Sequence, residues 1–326
     1  MLLDGHDAQA VERAAAALVA GDIVAFPTET VYGLGARADE DAAVAKIFAA
    51  KGRPAEHPLI VHVAEPGDGI VFAAQRPLAA RRLMDAFWPG PVTVIVPRAL
   101  GLAAAAAGGQ DTVGLRCPSH PVARALLTAA RRHGVLGVAA PSANRFGRVS
   151  PTSAQHVVDE FGDTLLVLDG GDCEVGIEST IVDCSGPHPA LLRPGTIPRE
   201  RLEAVLGEPL RAPDEHSPRA SGTLEAHYAP RAKVRLMTAE MLNTALQMLG
   251  ETPLKLAVYS RTVVLPRRSP LVRRVMPAGA DAAAHDLYAG LRELDAQGVD
   301  LIWVEEPPAD PAWDGVRDRL RRAAAA

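Results

Sequence analysis

The chain has 326 residues, of which 48% are hydrophobic and only 4% aromatic, and its formal net charge is −5. This length and hydrophobic content predict a soluble globular protein of two domains. The net negative charge excludes a protein that is basic overall, as a nucleic-acid binder usually is. No apolar run reaches the roughly 18 residues of a membrane helix. Acidic residues also interrupt the N-terminal stretch where a signal peptide would be apolar, so we expect a cytoplasmic protein away from the membrane.

The first part of the chain alternates between apolar runs and helical periodicity. In order, the patterns predict a helix over 7–20, a strand over 23–26, a helix from 39 or 40 to 51, a strand over 59–63 and a helix over 77–87. Strands over 92–96 and 112–116, a helix over 121–132, a strand over 137–140 and a helix over 153–161 follow. Strands over 165–168 and 176–183 come next, and after the segment 191–195, which closes this region, a helix spans 198–206.

A change of character after residue 208 indicates a domain boundary. The segment 209–232 is rich in proline and has little periodicity, which is typical of a linker. Beyond it, strands over 234–237, 255–259 and 300–304 alternate with helices over 239–249, 281–297 and 312–323. Strands separated by helices in this way predict βαβ units on a parallel sheet. The sequence thus predicts one domain over 1–208, a linker over 209–232 and a smaller α/β domain over 233–326.

Two cations follow the helix that ends near residue 51. Lys51 and Arg53 lie two residues apart beside Gly52 and before Pro54, which disfavours helix at Arg53. Arginine grips phosphate bidentately and lysine supplies a point charge, so this pair suits a polyphosphate. A solvated helix end explains the same residues equally well. Neither a G-x-x-x-x-G-K-[ST] loop nor a G-x-G-x-x-G motif occurs.

Other polar residues follow apolar strands along the chain. His57 and His62 lack the cysteine or acidic neighbours of a zinc site, and His62 on its strand is also compatible with a core histidine. Arg116 ends a strand, where its charge needs a carboxylate partner or a ligand. Ser142 and Asn144 follow another strand, in a position where either a binding loop or a simple turn is common. Together they predict a cavity for an anionic ligand, with no nucleophile evident.

The motifs together resemble the YrdC/Sua5 family. They are F-P-T-E-T-V-Y-G-L-G from Phe26, K-G-R-P from Lys51, H-P-L-I-V-H-V from His57, P-S-A-N from Pro141, S-P-T from Ser150, E-S-T-I-V-D from Glu178, L-R-P-G from Leu192 and H-Y-A-P from His227. The last motif, followed by a second α/β domain, is similar to the long Sua5 type.

The resemblance implies an α/β fold: a twisted mixed-sheet YrdC-like domain with a central cavity, plus a smaller Rossmann-like C-terminal domain, with the linker capping the active site. It implies a nucleotidyltransferase that makes threonylcarbamoyl-AMP and pyrophosphate from L-threonine, bicarbonate and ATP, for N6-threonylcarbamoyladenosine at position 37 of ANN-decoding tRNAs. Mg²⁺ is expected with the ATP. A downstream threonylcarbamoyl-transferase is an expected partner, whereas direct tRNA binding and the choice between monomer and homodimer stay open.

The resemblance also assigns residues to two sides of one site. L-Threonine would be held by Thr30, His62, Arg116 and Thr180. ATP would be held by Lys51, Arg53, His57, Thr112, Ser142, Asn144, Ser150, Arg193 and, in the linker, Tyr228. Lys51 and Arg53 would be the residues that act on the phosphates during the reaction.

Two departures from the family pattern bear on the ATP side. His57 stands where the family usually has asparagine, and the linker reads A-S-G-T-L-E-A from Ala220 before H-Y-A-P in place of the usual S-P-G-M. Three other functions remain to be weighed: an RNA-binding module, a regulatory protein without catalysis, and a carbamoyl-transfer enzyme of hydrogenase maturation. The net charge and the few aromatic residues disfavour the first. The third would need zinc-finger cysteines, which are absent.

Overall fold

A computed structural model describes residues 1–249, 255–264 and 271–326. These residues form two compact units. The first comprises Met1–Phe146 and Ser150–Thr223, and the second comprises Gly147–Val149 and Leu224–Ala326. The first unit therefore ends inside the segment predicted as a linker. None of the helices within the described ranges has the length and apolar character that crossing a bilayer requires.

The first unit is built from short strands and helices. Its strands are β1 (Leu2–Asp4), β2 (Val24–Phe26), β3 (Gly33–Arg37), β4 (Ile60–His62), β5 (Val92–Pro97), β6 (Thr112–Arg116), β7 (Val138–Ala139), β8 (Leu166–Asp169), β9 (Thr180–Asp183) and β10 (Ala190–Arg193). Its helices are α1 (Ala8–Val19), α2 (Asp41–Lys51), α3 (Leu78–Phe87), α4 (Pro121–Arg132), α5 (Ala154–Phe161) and α6 (Arg199–Leu206), with a 3₁₀ helix at Pro66–Phe72.

The helix boundaries follow from local capping chemistry. The carboxylate of Asp7 accepts a hydrogen bond from the backbone N–H of Gln9 at the start of α1. Ser153 does the same for His156 at the start of α5. At the end of α2, Gly52 adopts the left-handed conformation with φ 63°, which a glycine tolerates without strain. The cap at Gly52 turns the chain so that Lys51 and Arg53 both become buried.

The ten strands form one mixed sheet, as predicted. Their order is β1-β8-β2-β3-β7-β4-β6-β5-β9-β10. Four pairs are parallel (β1/β8, β2/β8, β4/β6 and β5/β9) and five are antiparallel (β2/β3, β3/β7, β4/β7, β5/β6 and β9/β10). Strands β1, β3 and β10 were not predicted. The segment predicted as a strand over 176–183 becomes a strand only from Thr180.

Side chains that alternate between the two faces of the sheet contribute to two separate hydrophobic cores. Ala25 and Ala139 belong to the core beneath α2, α3, α5 and α6, whereas their neighbours Val24 and Val138 belong to the core beneath α1 and α4. Successive side chains of a strand point to opposite faces, so these cores lie on opposite faces of the sheet.

On the face of α1 and α4, the half of the sheet that contains β4, β5 and β9 has a different cover. There Ile60, Ile95 and Ile181 form a separate small cluster, and Ala220 of the linker packs against it. Because this half of the face is covered by an extended segment and not by a helix, a site can lie between the strands and the linker.

The second unit, within the described residues, has a four-stranded parallel sheet of order β11-β14-β12-β13. Its elements are β11 (Lys233–Met237), α7 (Ala239–Met248), β12 (Leu256–Ser260), β13 (Val272–Val275), α8 (Ala280–Ala296), β14 (Leu301–Glu305), a 3₁₀ helix at Pro311–Trp313 and α9 (Asp314–Ala324). The predicted parallel βαβ character is confirmed, although β13 was not predicted.

One buried carboxylate fills the carboxyl edge of the second sheet. Glu305, at the end of β14, accepts hydrogen bonds from the backbone N–H groups of Arg261, Thr262 and Val263 at 2.8, 2.7 and 3.1 Å. In open parallel sheets this edge is where ligands usually bind. In this sheet the Glu305 carboxylate accepts the hydrogen bonds of those N–H groups.

Candidate functional site

Lys51 binds the loop of the P-S-A-N motif through two backbone carbonyls. Its Nζ donates to the backbone carbonyl of Ser142 at 2.6 Å and to that of Asn144. The side chain is buried, and burial, followed by the nearby charge of Arg53, holds the pKa of Lys51 well below its usual value. The predicted ATP-side residues Lys51, Ser142 and Asn144 are therefore in direct contact, with Lys51 setting the path of the loop.

Arg53 and His57 meet at an aromatic ring that follows the P-S-A-N motif. The guanidinium carbon of Arg53 lies 5.7 Å from the ring centroid of Phe146, and the ring of His57 lies 5.3 Å from the same ring. Arg53 Nη2 also donates to the carbonyl of Pro58 at 3.0 Å. Burial and then the charge of Arg53 lower the pKa of His57. His57 is therefore a neutral ring in this cluster at neutral pH.

The Glu178–Thr180 segment connects two further ATP-side residues, Ser150 and Arg193. The hydroxyl of Ser150 donates to Glu178 Oε1 at 2.5 Å. Arg193 Nε and Nη2 donate to the carbonyl of Ser179 at 3.0 and 2.9 Å, and Nη1 donates to the carbonyl of Ser221 at 2.7 Å. Arg193 thereby binds both the β9 edge of the site and the linker.

Arg116, on the predicted threonine side, faces a buried carboxylate. Its Nη2 lies 2.7 Å from Glu29 Oε1, and both side chains are 4% exposed. The approach is too oblique to count as a hydrogen bond, so the contact is an ion pair at close range. Glu29 Oε2 accepts from the backbone N–H of Ser119 at 3.1 Å, and Arg116 Nε points at the carbonyl of Gly90 at 3.4 Å.

His62 lies beside Arg116 because β4 and β6 pair in parallel with these two residues in register. The imidazole is buried and meets the ring of Phe26 edge-on at 6.3 Å. Burial, followed by the charge of Arg116, lowers the pKa of His62 to about 3. The ring is therefore uncharged at neutral pH. Among the described residues its Nδ1 has no hydrogen-bond partner.

Threonine hydroxyls complete this side. Thr28 Oγ1 and Thr30 Oγ1 are 2.8 Å apart, and the hydroxyl of Thr28 also accepts from the backbone N–H of Thr30. Thr180 is fully buried, and no hydrogen-bond partner of its Oγ1 occurs in the described part of the chain. An added Cβ at Gly195 would come within 2.6 Å of Thr180 Oγ1. The glycine of L-R-P-G thus keeps space open beside this hydroxyl.

The linker covers a cavity on the same face of the sheet. Gln110 and Arg219 bind each other reciprocally: Gln110 Nε2 donates to the Arg219 carbonyl at 3.1 Å, and the Arg219 N–H donates to Gln110 Oε1 at 2.8 Å. The cavity includes Thr112, a predicted ATP-side residue, and is lined by Pro58, Leu59, Ile60, Thr93, Ile95, Gln110, Thr112, Gly114, Ile181, Arg219, Ala220 and Ser221.

Tyr228 belongs to the second unit. It is buried, its φ is 61°, and its ring lies 4.2 Å from that of His227 and 5.6 Å from that of Tyr288. The guanidinium carbon of Arg319 lies 5.4 Å from the Tyr228 ring centroid. Its assignment to ATP rests on the sequence resemblance and stays a prediction.

No metal-ligating residue was assigned from the sequence. Nowhere in the described ranges do three or more His, Cys, Asp or Glu side chains group as metal ligands. A magnesium ion that accompanies ATP takes its ligands mainly from phosphate oxygens and water. The expectation of Mg²⁺ with ATP stays a prediction.

The first unit brings several of the predicted residues into contact clusters. Arg116 and His62 pair in register, whereas the contacts described above join Lys51 to Ser142 and Asn144, Arg53 to His57 through Phe146, and Ser150 and Arg193 to the Glu178–Thr180 segment. Thr30 contacts Thr28, Thr112 lines the cavity, and Thr180 lies beside Gly195. Sequence reasoning missed Glu29, Phe146, Ser179 and Ser221, which contact these groups. The carboxylate partner that Arg116 needed was visible in the P-T-E-T motif itself.

Two family models together match most of the chain. Residues 16–195 match a family model for Sua5, YciO and YrdC described as "Telomere recombination", and residues 197–325 match one described as "Threonylcarbamoyl-AMP synthase, C-terminal domain". The chain is 38% identical over 312 residues to a threonylcarbamoyl-AMP synthase of Pyrococcus abyssi, covering 93% of this chain and 90% of that protein. It is 37% identical over 342 residues to the Bacillus subtilis protein of that name, covering 99% and 94%.

A solved structure has the same fold. The crystal structure of P. abyssi Sua5 complexed with L-threonine superposes with a TM-score of 0.88 at 35% identity, covering 98% of this chain and 95% of that one.

Proposed function

The chain belongs to the Sua5/YciO/YrdC family, and on that premise we propose that it is a threonylcarbamoyl-AMP synthase. It would join L-threonine, bicarbonate and ATP into threonylcarbamoyl-AMP and release pyrophosphate. The reaction makes it a nucleotidyltransferase, with Mg²⁺ as the counter-ion of the nucleotide. Its product would serve N6-threonylcarbamoyladenosine formation on ANN-decoding tRNAs through a downstream threonylcarbamoyl-transferase, in the cytoplasm.

One observation carries the threonine side of the proposal. The guanidinium of Arg116 is buried next to His62 on the neighbouring strand, and both His62 Nδ1 and Thr180 Oγ1 are buried without hydrogen-bond partners among the described residues. Buried polar atoms in folded proteins nearly always have partners, so these atoms point to a small polar ligand. A guanidinium matches a carboxylate, and uncharged acceptors match the hydroxyl or amine of an amino acid.

The proposed chemistry needs alignment more than covalent help. The amine of L-threonine attacks the carbon of bicarbonate and water leaves, which gives a carbamate. A carbamate oxygen then attacks the α-phosphorus of ATP, a new O–P bond forms, and pyrophosphate leaves. Holding the two reactants in line and neutralising charge supply most of the acceleration in such transfers. Arg53, on the ATP side, offers positive charge toward the triphosphate, while Lys51 fixes the loop that carries Ser142 and Asn144.

The test is a threonine-dependent release of pyrophosphate from ATP in the presence of bicarbonate. We expect Arg116→Ala to abolish this release, by at least roughly a hundredfold, because its proposed ligand is the substrate carboxylate. ATP binding, measured by calorimetry, should change by less than about threefold. Arg132→Ala is the matched control, since this surface arginine pairs with Glu12 and is 63% exposed.

Two results would contradict the proposal. The unaltered protein could release no pyrophosphate when threonine is added, or Arg116→Ala could lose ATP and threonine binding to the same extent. Tight tRNA binding without any pyrophosphate release would instead support an RNA-binding module.

A further inference from the structure

The guanidinium proposed to bind the substrate carboxylate already faces a carboxylate of the chain. Glu29 Oε1 lies 2.7 Å from Arg116 Nη2, and both side chains are 4% exposed. The second oxygen of Glu29 is fixed by the backbone N–H of Ser119. The two side chains therefore form a buried pair of zero net charge before any substrate arrives.

Nearby imidazoles add no charge to this pair. His62, which is in register with Arg116, is uncharged at neutral pH because burial lowers its pKa to about 3. Burial also lowers the pKa of His120, which interacts with Glu29. Lys51 and Arg53 contact the backbone carbonyls of Ser142, Asn144 and Pro58 on the ATP side. Glu29 and Arg116 are thus the charged groups that meet a ligand at the guanidinium.

A neutral buried pair discriminates between ligand charges. A ligand that brings only a carboxylate leaves one uncompensated negative charge among buried groups, which is strongly unfavourable. An α-amino acid brings a carboxylate and an ammonium together. With its carboxylate on Arg116, its ammonium lies one carbon away, within reach of the Glu29 carboxylate, so the four charges alternate and sum to zero.

We propose that Glu29 is a specificity-determining residue that makes the site select zwitterionic α-amino acids over the corresponding 2-hydroxy acids. The inference rests on the proposed function, because it takes L-threonine as the ligand of Arg116. It also assigns Glu29 a positioning role, since its Oε1 lies 2.7 Å from Arg116 Nη2 while Arg116 Nε points at the Gly90 carbonyl at 3.4 Å.

The experiment compares two ligands on two proteins. L-Threonine and 2,3-dihydroxybutanoate share the carboxylate, the methyl group and the side-chain hydroxyl, and differ only in ammonium against hydroxyl. Their dissociation constants are measured by calorimetry on the unaltered protein and on Glu29→Gln, which keeps the shape and removes the charge. Asp39→Asn is the matched control, because Asp39 is the carboxylate of another arginine pair, with Arg37, at 2.8 Å and 12% exposure.

The expected readout is the ratio of the two dissociation constants. The unaltered protein and Asp39→Asn should both prefer threonine by at least about tenfold. In Glu29→Gln that preference should shrink by at least about tenfold, because the unneutralised Arg116 now favours a lone carboxylate. A purely structural role would weaken both ligands together and leave the ratio unchanged, and that result overturns the inference.

Two further results are also decisive. If Glu29→Gln does not fold, Glu29→Asp takes its place, because it keeps the negative charge but moves it one methylene away from Arg116. This variant should bind threonine more weakly and still prefer threonine over 2,3-dihydroxybutanoate. Loss of that preference would overturn the inference. If the unaltered protein does not bind threonine at all, the proposed function fails and the inference fails with it. Threonine binding with an unchanged ratio in Glu29→Gln sinks the inference alone.

Discussion

Replacing His62 by glutamine should remove much of the acid sensitivity of the first unit. The unfolded chain binds a proton on this histidine at its ordinary pKa of 6.5, whereas the folded chain binds it only at about 3. Between these values the unfolded state holds more protons, so stability is full above the unfolded pKa and is lost as the pH falls toward the folded one. From about pH 7.5 to about pH 4.5 this single group should lower the free energy of unfolding by about 3 kcal/mol.

The assay is urea unfolding at these two pH values. Trp88 reports the first unit when Trp303 and Trp313, both in the second unit, are replaced by phenylalanine. Other groups also titrate, so the quantity of interest is the pH-dependent loss in the unaltered background minus that in His62→Gln, expected at about 3 kcal/mol. His6→Gln is the control, because this exposed imidazole is solvated in both states. Equal losses in all three proteins would refute the assignment of His62 as a buried neutral ring.

Two more substitutions test the geometry of the site. Lys51→Met removes both hydrogen bonds to the P-S-A-N loop, so the free energy of unfolding should fall by about 2 kcal/mol and the affinity for ATP should fall with it. Urea unfolding measures the stability and calorimetry measures the affinity for ATP. Lys46→Met is the control and should change neither quantity, because Lys46 belongs to an exposed ion pair. An unchanged affinity for ATP in a folded Lys51→Met protein would contradict the role of Lys51 in holding the loop. Gly195→Ala places a methyl group against Thr180, which should cost about 1–3 kcal/mol and weaken threonine binding at least about tenfold. Gly186→Ala, where no atom lies within 4 Å, is its control, and unaltered threonine binding in Gly195→Ala would place the ligand elsewhere.

Most helices and buried strands were predictable because their signals are local. The cap at Asp7, the proline at the start of α4 and the glycine after α2 each fix a boundary with one residue, and those boundaries match to within one or two residues. Strand β3 was missed for the opposite reason. It reads G-L-G-A-R, and two glycines in five residues lower strand propensity. The sheet nevertheless requires glycine at Gly35, where a Cβ would lie 2.7 Å from atoms of both Phe26 and Val138.

The site was predictable as a set of residue types but not as a set of contacts. Spacing alone did not decide whether His62 is a core residue or a ligand-binding residue. In the fold its ring is buried, and its Nδ1 has no hydrogen-bond partner among the described residues. Lys51 was expected to face phosphates, yet two of its donors go to loop carbonyls, which only the tertiary path of the P-S-A-N loop determines. Tyr32, in the same motif as Thr30, is instead structural, since its hydroxyl donates to the Gly171 carbonyl at 2.8 Å.

The linker contacts bear on how long a reactive product would stay in the protein. Ser221 is bound by Arg193 and lies 3.5 Å from Arg53 Nη2, while Arg219 is bound by Gln110, so the cover shares its anchors with the predicted ATP side. Threonylcarbamoyl-AMP is a mixed anhydride that water destroys, and a cover over the bound product would keep water away from it. Release past this cover would require those anchors to break, which makes departure a candidate for the slow step of each cycle. The strength of a few hydrogen bonds at Ser221 and Arg219 would then set the residence time of the product, balancing its protection from hydrolysis against its release.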